Sequence, residues 1–314
     1  MIPSAVDVLC ARRRIRSLID VTPVRHSTWL SGATRRPVWL KLECVQLTGS
    51  FKVRGALNAM SRLPTGTHVV TASAGNHGRA IALAAQMLGM RATVFAPRDA
   101  PRSKLDAITR HGADLHGVDS YDESEVAAKA YARETGRPFI SPYNHPDVIA
   151  GAGTIAFEIF ESLSGVHTIV VPIGGAGLIS GVAVAAKSVA AGIHVVGVEV
   201  EASCAFAQSV RNGRITVVEP GPTLADGLGG NMDPETITFE MVRRYVDEIV
   251  TVSEGELADA VRGLAGEEHV VAEGAGAAAP AAVLAGKVRG RGTIAALVTG
   301  SNIDLARFRS VLNS

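Results

Sequence analysis

The sequence predicts an α/β protein made of two doubly wound parallel-sheet domains. Three observations predict it. Short β-branched runs recur along the chain, at 68–72, 92–96, 168–173, 194–200 and 293–298. Segments with helical apolar spacing lie between them, and strand–helix–strand alternation of this kind builds parallel sheets. Turns rich in Gly, Ser and Asn stand directly after several of the runs, where a strand hands over to a helix.

Residues 5–20 place Val6, Val8, Leu9, Ile15, Leu18 and Ile19 on helical spacing, with Arg12, Arg13 and Arg14 between them. This is an amphipathic helix with a solvated basic face, and Thr22-Pro23 ends it. Residues 38–42 read as a strand. A glycine turn follows, and then helical spacing through Phe51, Ala56, Leu57 and Met60. After the strand 68–72 comes the turn 73–78 and a helix over 79–88, closed by Gly89. Strand 92–96, helix 103–111 stopped by Gly112, strand 113–118, helix 122–135 and the pair Phe139-Ile140 repeat the unit. A helix over 149–163 leads to the buried-type strand 168–173, the turn 174–178, a helix of small residues to about 191 and the strand 194–200. The later part is less regular: a strand at 249–252, helices over 254–267 and 272–284, and a last strand at 293–298. Two αβ halves lie on either side of about residue 148, and the pattern leaves open whether the N-terminal strand belongs with the C-terminal half.

Composition narrows the function. The chain has 314 residues, 47% hydrophobic and 19% charged, enough apolar material for a sizeable core. A net charge of +1 gives no basic excess for nucleic acid and no polybasic segment for a membrane surface. No apolar run of about 18 residues is uninterrupted. The N-terminus shows no charged-then-apolar signal segment. Cys10, Cys44 and Cys204 are far apart and odd in number, without metal or disulfide spacing, so a reducing cytoplasm is expected.

Four loops carry the chemistry. Thr48-Gly49-Ser50-Phe51-Lys52 sets a lysine where a loop enters a helix, among apolar neighbours. Desolvation and the positive end of the helix dipole both disfavour its charge, which makes a usable amine nucleophile. Ser73-Ala74-Gly75-Asn76-His77-Gly78 offers a hydroxyl, an amide and main-chain donors that could grip a carboxylate or a ring oxygen; a plain helix cap is the structural alternative. Gly174-Gly175-Ala176-Gly177-Leu178 follows a strand and opens a helix, so its N–H groups suit a phosphate, with glycine permitting the turn and a close approach of backbone. With Gly181 and Glu199 it also resembles a dinucleotide fingerprint, although Ser180 stands where a third glycine or an alanine belongs. Thr299-Gly300-Ser301-Asn302 ends the last strand, and ligands of open α/β sheets lie beyond the carboxyl ends of strands.

The four motifs LTGSFKVRGA, SAGNHG, GGAGL and TGSNID, in that order over about residues 15–308, resemble the pyridoxal-phosphate enzymes of the tryptophan-synthase-β type, fold type II. Among them the chain is most similar to threonine/serine dehydratases and serine racemases. The resemblance implies a large domain of residues 1–48 plus 149–314, a smaller, mobile domain of 49–148, and a cleft between them that holds pyridoxal 5'-phosphate. Lys52 would carry it as a Schiff base, with Phe51 packed nearby. Asn76 would meet the ring hydroxyl, Gly174, Gly175, Ala176, Gly177 and Leu178 the phosphate, and Thr299 the pyridine nitrogen. Ser73, Ala74, Asn76 and His77 would hold the substrate carboxylate, and Gly227 would lie near the substrate amine. A neutral hydroxyl at the pyridine nitrogen makes a gentler electron sink than a carboxylate partner, which favours prompt loss of a β-leaving group. The implied reaction converts a β-hydroxy amino acid such as L-threonine or L-serine to a 2-keto acid and ammonia, through an aminoacrylate-type intermediate, with Lys52 moving the α-proton.

Departures from the pattern sharpen the expectation. Ala74 stands where serine racemases have a second serine, so racemisation should be weak. Ala205 stands where family members with a divalent cation have a second acid after Glu199, so no metal is expected. The chain ends at Ser314, leaving no room for the regulatory domain of biosynthetic threonine dehydratases. The basic stretch around Arg12 is also similar to dehydratase-like proteins of hydroxyectoine breakdown, which keeps a larger β-hydroxy amino acid open as substrate. A nicotinamide-dependent oxidoreductase and a catalytically silent homologue are the remaining alternatives. The expected partners are a small amino acid and further copies of the chain, as a homodimer or higher homo-oligomer.

Overall fold

The computed structural model describes residues 1–313, apart from the side chains of Tyr121 and Asp122. The chain opens with α1 (Ala5–Ile15), whose start is a capping box between Ser4 and Asp7. Then follow β1 (Val24–His26), α2 (Thr28–Thr34) and β2 (Val38–Leu42). Two short 3-10 turns, Glu43–Val45 and Leu47–Gly49, deliver the chain to α3 (Lys52–Met60). The next stretch is β3 (His68–Ala72), α4 (Asn76–Met87), β4 (Arg91–Pro97), α5 (Arg102–Thr109), β5 (Asp114–Val118) and α6 (Tyr121–Thr135). Its strands form a parallel sheet in the order β3-β4-β5, to which Phe139 adds one parallel bridge at Val70.

Beyond it run α7 (Pro146–Ser162), β6 (Val166–Pro172), α8 (Gly177–Val189), β7 (His194–Val200), α9 (Ala205–Asn212), α10 (Thr238–Tyr245) and β8 (Glu248–Val252). The chain finishes with α11 (Glu254–Gly266), α12 (Gly274–Leu284), β9 (Thr293–Val298) and α13 (Leu305–Asn313). Strands from both ends of the sequence share one sheet in the order β1-β2-β9-β6-β7-β8, parallel except for β1. The parallel register of β2 on β9 runs from Val38 beside Ile294 to Leu42 beside Val298, so the loops after both strands emerge together.

Several elements depart from the sequence expectation. The helix after the 73–78 turn starts at Asn76 rather than 79, because that turn is already the first turn of α4. The short elements β1, α2, α9, α10 and α13 have too few residues to display a period. The small-residue segment near 274–284 is a helix as expected, buried almost all round, and a Cβ on its Gly276 would stand 2.2 Å from the Gly300 carbonyl oxygen. Only glycine lets α12 press against the end of β9 in this way.

A charged tetrad is buried in the apolar interior. Lys41 of β2, Glu43, Arg54 of α3 and Glu158 of α7 are all at most 4% exposed. Arg54 binds Glu43 through Nε and Nη2 (2.7 and 2.8 Å) and Glu158 through Nη1 and Nη2 (2.6 and 2.8 Å). Lys41 Nζ donates to Glu158 Oε2 at 2.5 Å and to the Thr22 carbonyl at 2.7 Å. Two cations and two anions cancel, so the group can stay charged without water. It pins α3, two residues after Lys52, to β2 and α7.

Candidate active site

The loop carrying Lys52 is stitched to the loop after β9. Phe51 N–H donates to the Thr299 carbonyl (3.2 Å), Ser301 N–H donates to the Gly49 carbonyl (2.9 Å), and Ser50 and Gly300 form an antiparallel bridge. Ser301 Oγ adds a bond to the Cys44 carbonyl at 2.8 Å. The stitching holds Thr48 at φ 64°, a left-handed conformation that costs a non-glycine residue about 1–2 kcal/mol. Lys52 then enters α3 with Nζ 5.1 Å from the centre of the Phe51 ring and donating to the Pro142 carbonyl at 3.0 Å. Burial pulls its pKa down to about 8, against the opposing charge of Glu273. The amine therefore loses its charge more readily than an ordinary lysine, half of it near pH 8.

The loop after β3 presents a fixed amide. Asn76 Nδ2 donates to Glu273 Oε1 at 2.6 Å, and Asn76 Oδ1 accepts from Asn302 Nδ2 at 2.6 Å. Asn302 Nδ2 also donates to the Thr48 carbonyl (2.7 Å), and Asn302 Oδ1 accepts from Arg79. One Asn76 N–H is left for a ligand. Burial raises the Glu273 carboxyl to about 7, the bond from Asn76 notwithstanding. Ser73 Oγ accepts the Gly75 N–H at 3.1 Å, and Ala74 is fully buried. His77 is 2% exposed, with Nε2 at 3.2 Å from the Ile140 carbonyl, which makes Nε2 the protonated nitrogen. Burial, with the Lys52 charge beside it, lowers its pKa to about 3, so the ring is neutral and a poor base. Its Nδ1 meets no partner among the described residues.

The turn between β6 and α8 is an open ring of donors. No backbone N–H from Gly174 to Leu178 finds an acceptor among the described residues. They cluster at the N-terminus of a helix of 13 residues, the setting that binds phosphate through N–H groups and helix dipole. The positive φ of this turn falls on Ala176 (62°), not on a glycine. Gly175 and Gly177 are glycine for another reason: Tyr143 fills the space that their side chains would occupy. A Cβ on Gly175 would stand 2.2 Å from Tyr143 Cγ, and one on Gly177 would stand 2.9 Å from Tyr143 Cα. The Gly227 carbonyl lies beside Gly174, 3.0 Å from where its Cβ would be. Thr299, 4% exposed, donates its hydroxyl to the Ala275 carbonyl at 3.3 Å.

The Lys52 loop, the Asn76 loop, the glycine turn and the Thr299 loop thus border one region. Lys52 reaches the glycine turn through Pro142 and Tyr143, and Thr299 reaches Asn76 through Gly300 and Glu273. A Cβ on Gly300 would lie 2.2 Å from Glu273 Oε1 and 3.3 Å from Asn76 Nδ2. Glu273, Arg79, Asn302, Pro142 and Tyr143 escaped the sequence reading as site residues. Asn302 and Glu273 could have been found, since each polar group flanks glycines at a strand end or helix start; a backbone carbonyl such as that of Pro142 leaves no mark in a sequence.

The dinucleotide alternative loses its acid. Both Glu199 oxygens accept backbone N–H groups at the start of α9, from Phe206 (2.8 Å) and Ala207 (2.7 Å). They are not turned toward the glycine turn. A surface groove of about 660 Å³, lined in part by His167, His194 and Glu248, sits at the amino ends of β6, β7 and β8, opposite the side where such sheets bind ligands.

Comparison with known proteins agrees with this geometry. Residues 15–300 match the family described as "Pyridoxal-phosphate dependent enzyme". The chain is 44% identical over 313 residues to the L-threonine ammonia-lyase of Thermotoga maritima, covering 98% of this chain and 77% of that protein. It is 41% identical over 320 residues to the catabolic L-threonine dehydratase TdcB of Escherichia coli K12, covering 99% and 96%. Among solved structures it resembles maize serine racemase, with a TM-score of 0.94 and 33% identity, covering 100% of this chain and 98% of that one. The open donor ring and the buried, weakly basic amine fit an aldehyde that bears a phosphate, and the chain belongs to the pyridoxal-phosphate-dependent enzyme family.

Proposed function

We propose that this protein is an ammonia-lyase that converts a β-hydroxy amino acid, L-threonine or L-serine, to the 2-keto acid and ammonia. The observation that carries it is the weakly basic Lys52 amine held in one region with an open ring of N–H groups. Gly174, Gly175, Ala176, Gly177 and Leu178 would seat the phosphate, and Lys52 would bond the aldehyde carbon. When bound, the cofactor supplies an electron sink conjugated with the substrate α-carbon.

The chain's own residues do the rest. Lys52 Nζ takes the α-proton, which needs an uncharged amine, and burial lowers its pKa toward that requirement. Asn76, its amide locked by Glu273 and Asn302, orients the ring oxygen through its remaining N–H. Ser73 and the N–H groups at the start of α4 bind the substrate carboxylate, where the helix dipole favours an anion. Neutral His77 follows Asn76 in the first turn of α4. Thr299 would face the pyridine nitrogen with its neutral hydroxyl, and Gly227 would lie near the substrate amine. The reaction balances: the water lost with the β-hydroxyl returns when the released enamine hydrolyses to keto acid and ammonia.

The likeness to a serine racemase favours racemisation as a second reading. Buried Ala74 argues against it, since a methyl group on that side can neither give nor take a proton. We also propose that residues 49–148 move against the rest to admit substrate. Lys104 to Asp226 (2.6 Å) and Lys129 to Asp233 (2.8 Å) would be the pairs that close the cleft. The test is a panel of β-hydroxy amino acids scored for keto acid and ammonia, beside Lys52→Ala. Keto acid formation from threonine or serine by Lys52→Ala would sink the assignment.

A further inference from the structure

We infer that Tyr143 positions the cofactor: its ring sets the depth of the glycine turn, and its chain neighbour Pro142 sets the reach of Lys52. This rests on the function proposed above and deepens it. The segment between Ile140 and α7 crosses the site between the lysine and the glycine turn. The Pro142 carbonyl accepts from Lys52 Nζ at 3.0 Å. One residue later the Tyr143 ring lies against Gly175, with Cγ, Cδ1 and Cδ2 at 2.2, 2.4 and 2.7 Å from the position of an added Cβ. Such distances leave no room for any side chain at 175. The backbone of Tyr143 closes the same space at Gly177.

The ring is itself held. Tyr143 Oη accepts the Asp233 N–H at 3.0 Å, and Asp233 pairs with Lys129 of α6 at 2.8 Å. The next residue, Asn144, accepts the Ile237 N–H through Oδ1 at 3.1 Å. On the far side of the turn, Thr238 Oγ1 donates to the Gly175 carbonyl at 3.0 Å. The turn is therefore clamped between a ring below and a hydroxyl above, and its free N–H groups converge only while both hold. A small cofactor that must touch the amine at one end and the turn at the other needs a fixed span. Two consecutive residues provide it, one contact each.

The full-length protein is freed of cofactor and titrated with pyridoxal 5'-phosphate, following the near-visible band of the lysine-linked cofactor and its reduction onto Lys52 by borohydride. Tyr143→Ala is expected to bind at least tenfold more weakly (about 1.4 kcal/mol). Tyr143→Phe, which keeps the ring, should recover most of that loss. Gly175→Ala should weaken binding strongly in the natural background and much less in the Tyr143→Ala background, because the clash is gone. Circular dichroism and a cooperative melt check that each variant folds. If Tyr143→Ala does not, Tyr143→Leu replaces it in both arms. Unchanged affinity in Tyr143→Ala, or strictly additive effects of the two substitutions, overturns the inference while leaving the lyase reading intact. A natural protein that takes up no cofactor overturns both.

Discussion

Replacing Glu158 by Gln should test the buried tetrad most directly. The natural site balances two cations against two anions, and all four side chains are within 5% of full burial. Glu158→Gln keeps the shape but leaves one net positive charge with no water to solvate it. Removing one partner of such a pair costs about 3–5 kcal/mol. Urea unfolding of the cofactor-saturated protein, followed by circular dichroism and by Trp29 and Trp39 fluorescence, measures it where the two probes coincide. The double variant Lys41→Met/Glu158→Met supplies the control. It removes one cation with one anion and leaves Arg54 bound to Glu43 by both of its bonds. Some cost remains, because the Thr22 carbonyl loses its donor. Even so the double variant should be more stable than Glu158→Gln by roughly 1–2 kcal/mol. The pH dependence has a definite sign. Burial would raise the Glu158 carboxyl, but the bonds and charges of Arg54 and Lys41 outweigh it and hold it below the usual range. Its stabilisation is present above the unfolded value near 4.3 and is lost as pH falls through the lower folded value. The acid limb of stability should flatten in Glu158→Gln. A single-variant cost under about 1 kcal/mol, or a double variant no better than the single, would refute the unpaired-charge argument.

Other outcomes follow from the site. Cofactor uptake by the cofactor-free protein should speed up as pH rises toward about 8 and then level, because only unprotonated Lys52 attacks; a rate still climbing tenfold per unit at pH 10 would contradict the lowered pKa. Asn302→Ala removes the donor that fixes Asn76 and should lower kcat about tenfold with a shifted cofactor band, roughly the value of one orienting hydrogen bond; an unshifted band with natural kcat would contradict it. Lys104→Ala breaks a half-exposed pair with Asp226 and should raise KM by about two- to fivefold, an effect that shrinks in high salt. Because both Glu199 oxygens are bound to backbone, exhaustive chelation should leave threonine turnover unchanged, and loss that is restored by a divalent cation would overturn that reading.

The sequence by itself determined the alternation of strands and helices, and it pointed to four loops at strand ends and to Lys52 as the candidate amine. These are local matters: apolar period, glycine at strand ends, and a cap or a turn within a few residues of its cause. Only the tertiary structure decided that β2 from the start of the chain and β9 from its end lie side by side, which brings Lys52 to Thr299. It also decided why Gly175 is glycine. The sequence points to a turn or a ligand, whereas the structure puts a tyrosine ring from 32 positions earlier in the missing side chain's place. The amide of Asn76 is legible as a donor, but the partners that orient it, Glu273 and Asn302, are about 200 residues away. Long-range contacts of this kind are fixed by packing, and packing leaves no periodic trace for a linear reading to follow.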